Sequence, residues 1–345
     1  MKIRIISEVH DFFDYKDKWD AIFNNQDFSF FQSFEFNYYS WITELSNDKL
    51  NRLCIVLIEN NEIASAIFPL YIDSKMRLRF INDRHADFCD VLSNKKFDFE
   101  NILSEISNQL KFDSVHFINL TKDSFLYSLY EKNTLRNCRL KPFAMYSDLV
   151  IPKGSFPSNV LRYRSKQKTE FRRVKKKNID KDYQLLLKDD ADFPIKEIQQ
   201  LRERMIELGL RKANFLDEKR LLLLTQLFNS NRMLVSMVKN KNNIHAISFI
   251  LTNENAYLFW IDMYDNTKMI NIYNYILFME SISCDNNVKI NFGRGVYDYK
   301  VENFKPDIKQ LFALYIYRNQ LHMSLFLFID KIKGVLKSFY KKFIK

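Results

Sequence analysis

Ten residues toward the C-terminal end, Asn291-Phe292-Gly293-Arg294-Gly295-Val296-Tyr297-Asp298-Tyr299-Lys300, gather side chains able to do chemistry. The chain has only 5 glycines in 345 residues, and Gly293 and Gly295 stand two apart, directly after the β-like run Val288–Phe292. A Gly-x-Gly pair in so glycine-poor a sequence marks backbone that needs positive φ or a close approach. Lys300, just past this turn, could stabilise a developing oxyanion or grip an acyl or phosphate group. It could equally pair at the surface with Asp298 or Glu302. Tyr299 and Tyr297 offer phenols, as general acids in a cleft or as packing rings, and Arg294 adds a second cation.

A second candidate group is Arg84-His85-Ala86-Asp87-Phe88-Cys89-Asp90, polar without turn glycines. Asp87 or Asp90 could deprotonate an acceptor amine or hold it by hydrogen bonds, with a capping or turn role as the alternative. The isolated His85 is read as structural. A third is the basic run from Arg162 to Lys177, either a solvated helix or an anion-binding wall, with Arg164 and Arg173 as its contact residues. The five histidines and four cysteines show no ligand spacing, so no metal site is expected and the cysteines read as reduced core thiols.

The elements that must position these residues alternate. In the first half, Lys2–Ser7 reads as a strand, Tyr15–Asn25 and Phe34–Leu45 as helices, and Leu53–Glu59 with Ile63–Ile72 as a hairpin. Strand Arg77–Ile81, helix Phe99–Leu110, strand Ser114–Leu120, helix Phe125–Lys132 and strand Tyr146–Ile151 follow. The second half repeats the pattern. A basic helix Ser155–Asn178, with Ser155 as cap and Pro157 in its first turn, precedes strand Tyr183–Leu187 and helices Pro194–Leu208 and Asp217–Phe228. Strands Met233–Val238, Ile244–Thr252 and Ala256–Met263 form a meander. Helix Ile272–Ile282 and strands Val288–Phe292 and Gln310–Tyr317 complete it. Each half thus reads as a strand, helices, an antiparallel meander, a helix and further strands.

The order "strand, Gly-Arg-Gly, Tyr-x-Tyr-Lys, Phe" resembles the C-terminal signature of the CelD/FemAB-like (BioF2-like) branch of the GNAT acyltransferase superfamily. The similarity spans about residues 20 to 318. It includes Phe31-Gln32-Ser33, Ile67-Phe68-Pro69-Leu70-Tyr71, Asp87-Phe88-Cys89-Asp90, the basic stretch Leu161–Lys166 with Arg172-Arg173, and Trp260-Ile261-Asp262-Met263-Tyr264-Asp265. The resemblance implies an α/β (α+β) fold of two tandem GNAT-like domains, with mixed, mostly antiparallel sheets around a shared cleft. Domains are expected at 1–152 and 153–319, with a C-terminal helix at 320–345. It also implies an acyl-CoA donor and direct attack by an amine or hydroxyl of a sugar, peptide or cell-envelope precursor, without a covalent enzyme intermediate. Lys300, Tyr299 and Asp87 take the catalytic roles. Arg294, Gly293, Gly295, Arg164, Arg173, Trp260, Asp262, Tyr264 and Asn274 take the binding roles. One departure stands out. The family's Ser-Pro-Gly, which frees backbone amides for the coenzyme A pyrophosphate, is replaced by Lys268–Asn274, without glycine or proline. An aminoacyl-tRNA donor, as in the FemX group, therefore stays open. So does a non-catalytic envelope or nucleic-acid-binding protein that keeps the fold.

Net charge is +11, which invites nucleic acid as a partner, but no helix-turn-helix, zinc finger or RNP-type strand accompanies it. The N-terminus lacks an apolar leader segment, and no window approaches 18 uninterrupted apolar residues, so a cytoplasmic protein is expected. The lysine-rich tail Leu325–Lys345 has apolar residues at helical spacing. It suits an anionic membrane surface, here the inner face, or packing onto the body of the protein.

Overall fold

The computed structural model describes residues 2–329 and 332, apart from 25–28, 62, 94, 96, 155, 242 and 254–255. The first elements are β1 (Lys2–Ile6), α1 (Val9–Asp14), α2 (Lys16–Phe23), a 3-10 turn at Phe30–Gln32 and α3 (Phe34–Ser40), which continues as a π-helical turn Trp41–Leu45. Then come β2 (Arg52–Asn60), β3 (Ile63–Ile72), β4 (Arg77–Phe80), the short β5 (Leu92–Ser93), α4 (Phe99–Gln109), β6 (Ser114–Leu120), α5 (Phe125–Glu131) and β7 (Cys138–Ile151). The second half holds α6 (Ser165–Lys177), β8 (Asp182–Leu186), α7 (Ile195–Glu207), α8 (Glu218–Asn229), β9 (Met233–Asn240), β10 (Asn243–Asn253) and β11 (Ala256–Tyr264). It closes with α9 (Ile270–Ile282), β12 (Val288–Arg294), α10 (Asp298–Phe304) and β13 (Asp307–Tyr317). Several helix starts follow from local chemistry. The side chains of Ser33, Asp98, Ser124 and Asp217 accept first-turn N–H groups of α3, α4, α5 and α8, satisfying donors with no partner inside the helix.

The chain forms two compact α/β units, as the sequence predicts. Neither unit is a continuous half of the sequence. One comprises residues 1–27, 48–143 and 311–345, the other 28–47 and 144–310. In the first, β1, β2, β3 and β4 form an antiparallel meander, β6 lies parallel to β4, and β13 pairs antiparallel with β6. In the second, β8, β9, β10 and β11 form the meander, β12 lies parallel to β11, and β7 pairs antiparallel with β12. The strand sets of the two units repeat one pattern, with their last strands exchanged. The strand following α5 completes the second unit, and the strand following α10 completes the first. Where the sequence suggested a division at 152–153, the chain divides inside β7, at Phe143–Ala144, and again inside β13, at Gln310–Leu311.

The second unit buries an aromatic cluster between its sheet and helices α6, α9 and α10. Phe156, Tyr163, Phe171, Phe259, Tyr275, Phe278, Phe292 and Phe304 belong to it, and burial of each such ring contributes about 1.5–3 kcal/mol. This cluster corrects the long basic helix expected from residue 155. Phe156, Val160 and Tyr163 are buried in the core, residues 156–164 are turns and irregular backbone, and the helix begins only at Ser165. Ser155, the expected cap, lies outside the described residues. The sequence reading also passed over α10, the helix that carries Lys300. Of the tail, residues 320–329 are helical. Apart from residue 332, the rest of Leu325–Lys345 lies outside the described residues.

Candidate active site

The Gly-Arg-Gly turn owes its sequence to the tyrosine after it. Gly295 has φ +100°, which strains any other residue, and a Cβ there would lie 3.0 Å from the Tyr297 ring. Gly293 also takes positive φ, +76°. The Gly295 N–H donates to Met145 O at 2.7 Å, tying the turn to β7. Tyr297, at the N-cap of α10, stacks on Tyr299 with ring centroids 6.0 Å apart.

Lys300 points inward. Its residue is 3% exposed, so the surface ion pair with Asp298 or Glu302 is not its setting. A buried ammonium is costly unless hydrogen-bonded and paired. Lys300 Nζ donates to Phe292 O at 2.7 Å and stands 3.7 Å from Asp262 Oδ2. Phe292 lies in a register shift between β12 and β7, after Asn291 and before Arg294, which turns its carbonyl to the lysine instead of the β-ladder. The rings of Tyr275, Tyr297 and Tyr299 lie 5.5–5.8 Å from the ammonium, close enough for cation–π attraction.

Asp262 is the centre of this cluster. Ser248 Oγ donates to Oδ1 at 2.8 Å, and the Tyr275 hydroxyl donates to Oδ2. Tyr275 and Tyr299 are hydrogen-bonded through their side chains. Burial, and then the Asp262 charge, push both phenols well above their usual range near 10, so both keep their protons at neutral pH. Tyr264 is likewise raised by burial and by Asp262.

Strand geometry explains why Asp262 faces this cluster. Phe249 of β10 pairs with Ile261 while Ile250 pairs with Phe259, leaving Trp260 as the extra residue of a bulge. The bulge sets the faces: Phe259 packs on Tyr275 at 4.0 Å between centroids, and Asp262 reaches the Tyr275 hydroxyl. Trp260 instead meets Phe31 and Phe36 at 6.0 and 5.8 Å, with the Arg220 guanidinium over its ring at 5.5 Å. Arg220 is held by Glu44 at 2.8 Å. The parallel pairing of β11 and β12 runs only from Ala256–Lys289 to Leu258–Asn291. Beyond it, β11 continues through Asp262 and β12 through Arg294, with Lys300 and Tyr299 following on α10.

The other residues singled out from sequence fall elsewhere. Asn274, buried on α9, accepts from Ser236 Oγ at 2.6 Å and donates to Ser248 Oγ at 3.0 Å, which links it to Asp262 through Ser248 rather than by direct contact. Arg173 on α6 binds Glu170 and touches Met269 Sδ at 3.7 Å. Met269 is the left-handed N-cap of α9, with no side-chain cap. Arg164 is the N-cap of α6 and exposed. The turn into α9 is clamped by Asp265, which accepts from Thr267 N at 2.8 Å and contacts His245 Nδ1 at 2.8 Å. Burial raises the Asp265 pKa, but the bonds from Thr267 and His245 outweigh it and hold the carboxyl below its usual value. In the first unit, Asp87 is buried. Its loop is fastened by Asn119, whose amide donates to Asp83 O and Ala86 O at 2.8 Å each, and by Arg79 gripping Asp83 at 2.8 and 3.0 Å. Asp90 accepts the Phe125 N–H at 2.6 Å at the start of α5, the capping role that stood as its alternative.

Sequence reasoning missed Tyr275, Ser248 and the Phe292 carbonyl. No local signal marks them, since each joins the site only through strand register or helix packing.

No family model matches this sequence, and neither does any curated protein. Among solved structures, the chain is similar to FemX at a TM-score of 0.61 and 9% identity, covering 94% of this chain and 99% of FemX. The fold is shared. It is also similar to the C-terminal domain of a protein assigned as a lysylphosphatidylglycerol synthetase from Agrobacterium fabrum, at 0.59 and 10%, covering 93% of this chain and 96% of that one. L-PGS from Bacillus licheniformis gives 0.56 and 12%, covering 92% and 96%. The chain therefore adopts the fold of FemX and of these two synthetase structures.

Proposed function

We propose that this chain is an acyltransferase in which an acceptor amine or hydroxyl attacks an activated acyl carbonyl directly, with acyl-CoA as donor. The observation that supports it is the parting of parallel β11 and β12 beside the Asp262–Tyr275–Tyr299–Lys300 cluster. Where the ladder stops, an extended donor can add its own amides to strand edges. Tyr264 on β11 and Gly293, Arg294 and Gly295 on and after β12 border that position. Tyr299, kept protonated, supplies a proton to the leaving group. Lys300 stabilises the negative charge that develops on the carbonyl oxygen. The proposed acceptor is a sugar, peptide or lipid-linked envelope precursor. Direct attack needs positioning rather than a covalent nucleophile. The family resemblance drawn from the sequence, to the CelD/FemAB-like branch, points the same way.

A second reading, aminoacyl-tRNA as donor, is favoured by the turn into α9, which lacks glycine and is clamped by Asp265. Calorimetry separates these. Binding of acetyl-CoA or longer acyl-CoA supports the first reading. Salt-sensitive binding of aminoacyl-tRNA without acyl-CoA binding moves the donor to tRNA. Binding of neither overturns transfer in favour of a non-catalytic role. Among the described residues, no helix is long and apolar enough to cross a membrane. We propose peripheral contact at the inner membrane face through Leu325–Lys345, tested by vesicle flotation of the full chain against one ending at Arg318.

A further inference from the structure

A basic pocket of about 520 Å³, open to solvent, lies on the surface of the second unit and is lined by Arg162, Arg164, Gln167 and Lys305. That volume is within the range of about 300–1,000 Å³ typical of small-ligand sites. Its cations are not alike. Arg162 is committed: it forks onto Asp307 at 3.0 and 3.1 Å and donates to Lys305 O at 2.9 Å, fixing the wall that presents Lys305. Among the described residues, no hydrogen-bond or salt-bridge partner reaches the Arg164 guanidinium, the Gln167 amide or the Lys305 ammonium.

The same place is electrostatically unfavourable as it stands. Arg164 is the N-cap of the 13-residue α6, gives no side-chain cap, and the first turn holds no acid. Lys166 and Lys168 follow within that turn. Cations at a helix N-terminus oppose the helix dipole, and first-turn N–H groups lack acceptors there. An anion in the cavity would reverse the charge term and supply the acceptors. Leu161, immediately before Arg162, is 99% exposed, an apolar tip beside a cationic pocket.

We propose that this cavity binds the phosphate or diphosphate group of a substrate or lipid, through Arg164, Gln167, Lys305 and the first turn of α6. The proposal concerns ligand binding alone and stands or falls apart from acyl transfer. Its chemistry has two sources, a soluble phosphate ester or a headgroup at an anionic membrane, for which Leu161 would be the inserting side chain.

The test is calorimetric titration of the full chain with inorganic pyrophosphate, on wild type, R164A/K305A and K176A/K177A, a charge-matched control at the far end of α6. Binding is expected for wild type, weakened about tenfold or more in R164A/K305A and changed less than about twofold in the control. Equal weakening in both double variants, or no binding by wild type, overturns the proposal. Flotation with phosphatidylcholine vesicles, with and without phosphatidylglycerol, then separates the sources. Capture that needs phosphatidylglycerol, falls in R164A/K305A and falls again in L161S supports the lipid headgroup. Pyrophosphate binding without such capture supports a soluble phosphate ester. Matching thermal melts for all variants exclude misfolding as the cause.

Discussion

The Tyr275 hydroxyl and the Lys300 ammonium converge on one oxygen, Asp262 Oδ2, the first by a hydrogen bond and the second at 3.7 Å. Tyr275 comes from α9, Lys300 from α10 and Asp262 from β11. Three elements separated by turns thus share one carboxylate. With Ser248 on the other oxygen at 2.8 Å, that carboxylate is held on both sides, so Tyr299 and Lys300 are presented from a fixed base.

Lys300→Met tests whether the ammonium acts in chemistry. The substitution keeps the bulk and removes the charge. It leaves Phe292 O without its lysine donor, which costs about 1–3 kcal/mol of stability. If Lys300 stabilises developing charge, turnover should fall about 10²–10³-fold. Steady-state kinetics beside urea unfolding separate the effects, and an unchanged kcat would make Lys300 purely structural.

Tyr275→Phe should change the alkaline limb of stability. Tyr275 is raised well above 10.0 by burial and by Asp262. Below that pH both folded and unfolded chains keep the proton. Above it the unfolded chain loses its proton while the folded one does not, so stability falls as pH rises. Tyr275→Phe should flatten that decline while costing about 1–3 kcal/mol at neutral pH through the lost bond to Asp262. Urea midpoints from neutral to alkaline pH provide the check, and an identical alkaline slope would count against it.

His116 governs an acid limb in the first unit. Burial, with Arg77 and Arg79 nearby, pushes its pKa down to about 4 from 6.5. Between these values the unfolded chain binds a proton that the folded chain refuses, so stability rises with pH through this window and is lost as pH falls through it. His116→Phe, which keeps a ring against Tyr315 and Phe326, should flatten that limb. Denaturant midpoints measured across the window decide it; an unaltered slope means another group is responsible.

The Arg220–Glu44 pair, with side chains 9% and 13% exposed, supports Trp260 from beneath. Glu44→Ala leaves a buried guanidinium without its partner and should cost about 3–5 kcal/mol. Replacing both, Arg220→Met with Glu44→Leu, should cost clearly less, because no uncompensated charge remains. A larger loss in the double variant than in Glu44→Ala would mean that the cation–π contact with Trp260, not the ion pair, carries the stability.

Much of the local structure was legible in the sequence. Helical spacing places the starts of α3, α4, α5 and α8, and turn residues mark the hairpin from β2 to β3. The Gly293–Gly295 turn shows in the scarcity of glycine. Lys300, Tyr299 and Asp262 were also named there, since their spacing and the resemblance mark them. Tertiary structure decided the rest. Alternation identifies β7 and β13 as strands but says nothing of their partners, so their exchange between units follows only from which sheet edge each finds. The bulge at Trp260 turns Asp262 toward Tyr275, and a register shift aims Phe292 O at Lys300. Asn274, named there through the resemblance, is held between Ser236 and Ser248 by contacts that no local pattern announces. Local sequence sets propensity and caps through near neighbours, whereas register and pairing depend on residues dozens of positions away.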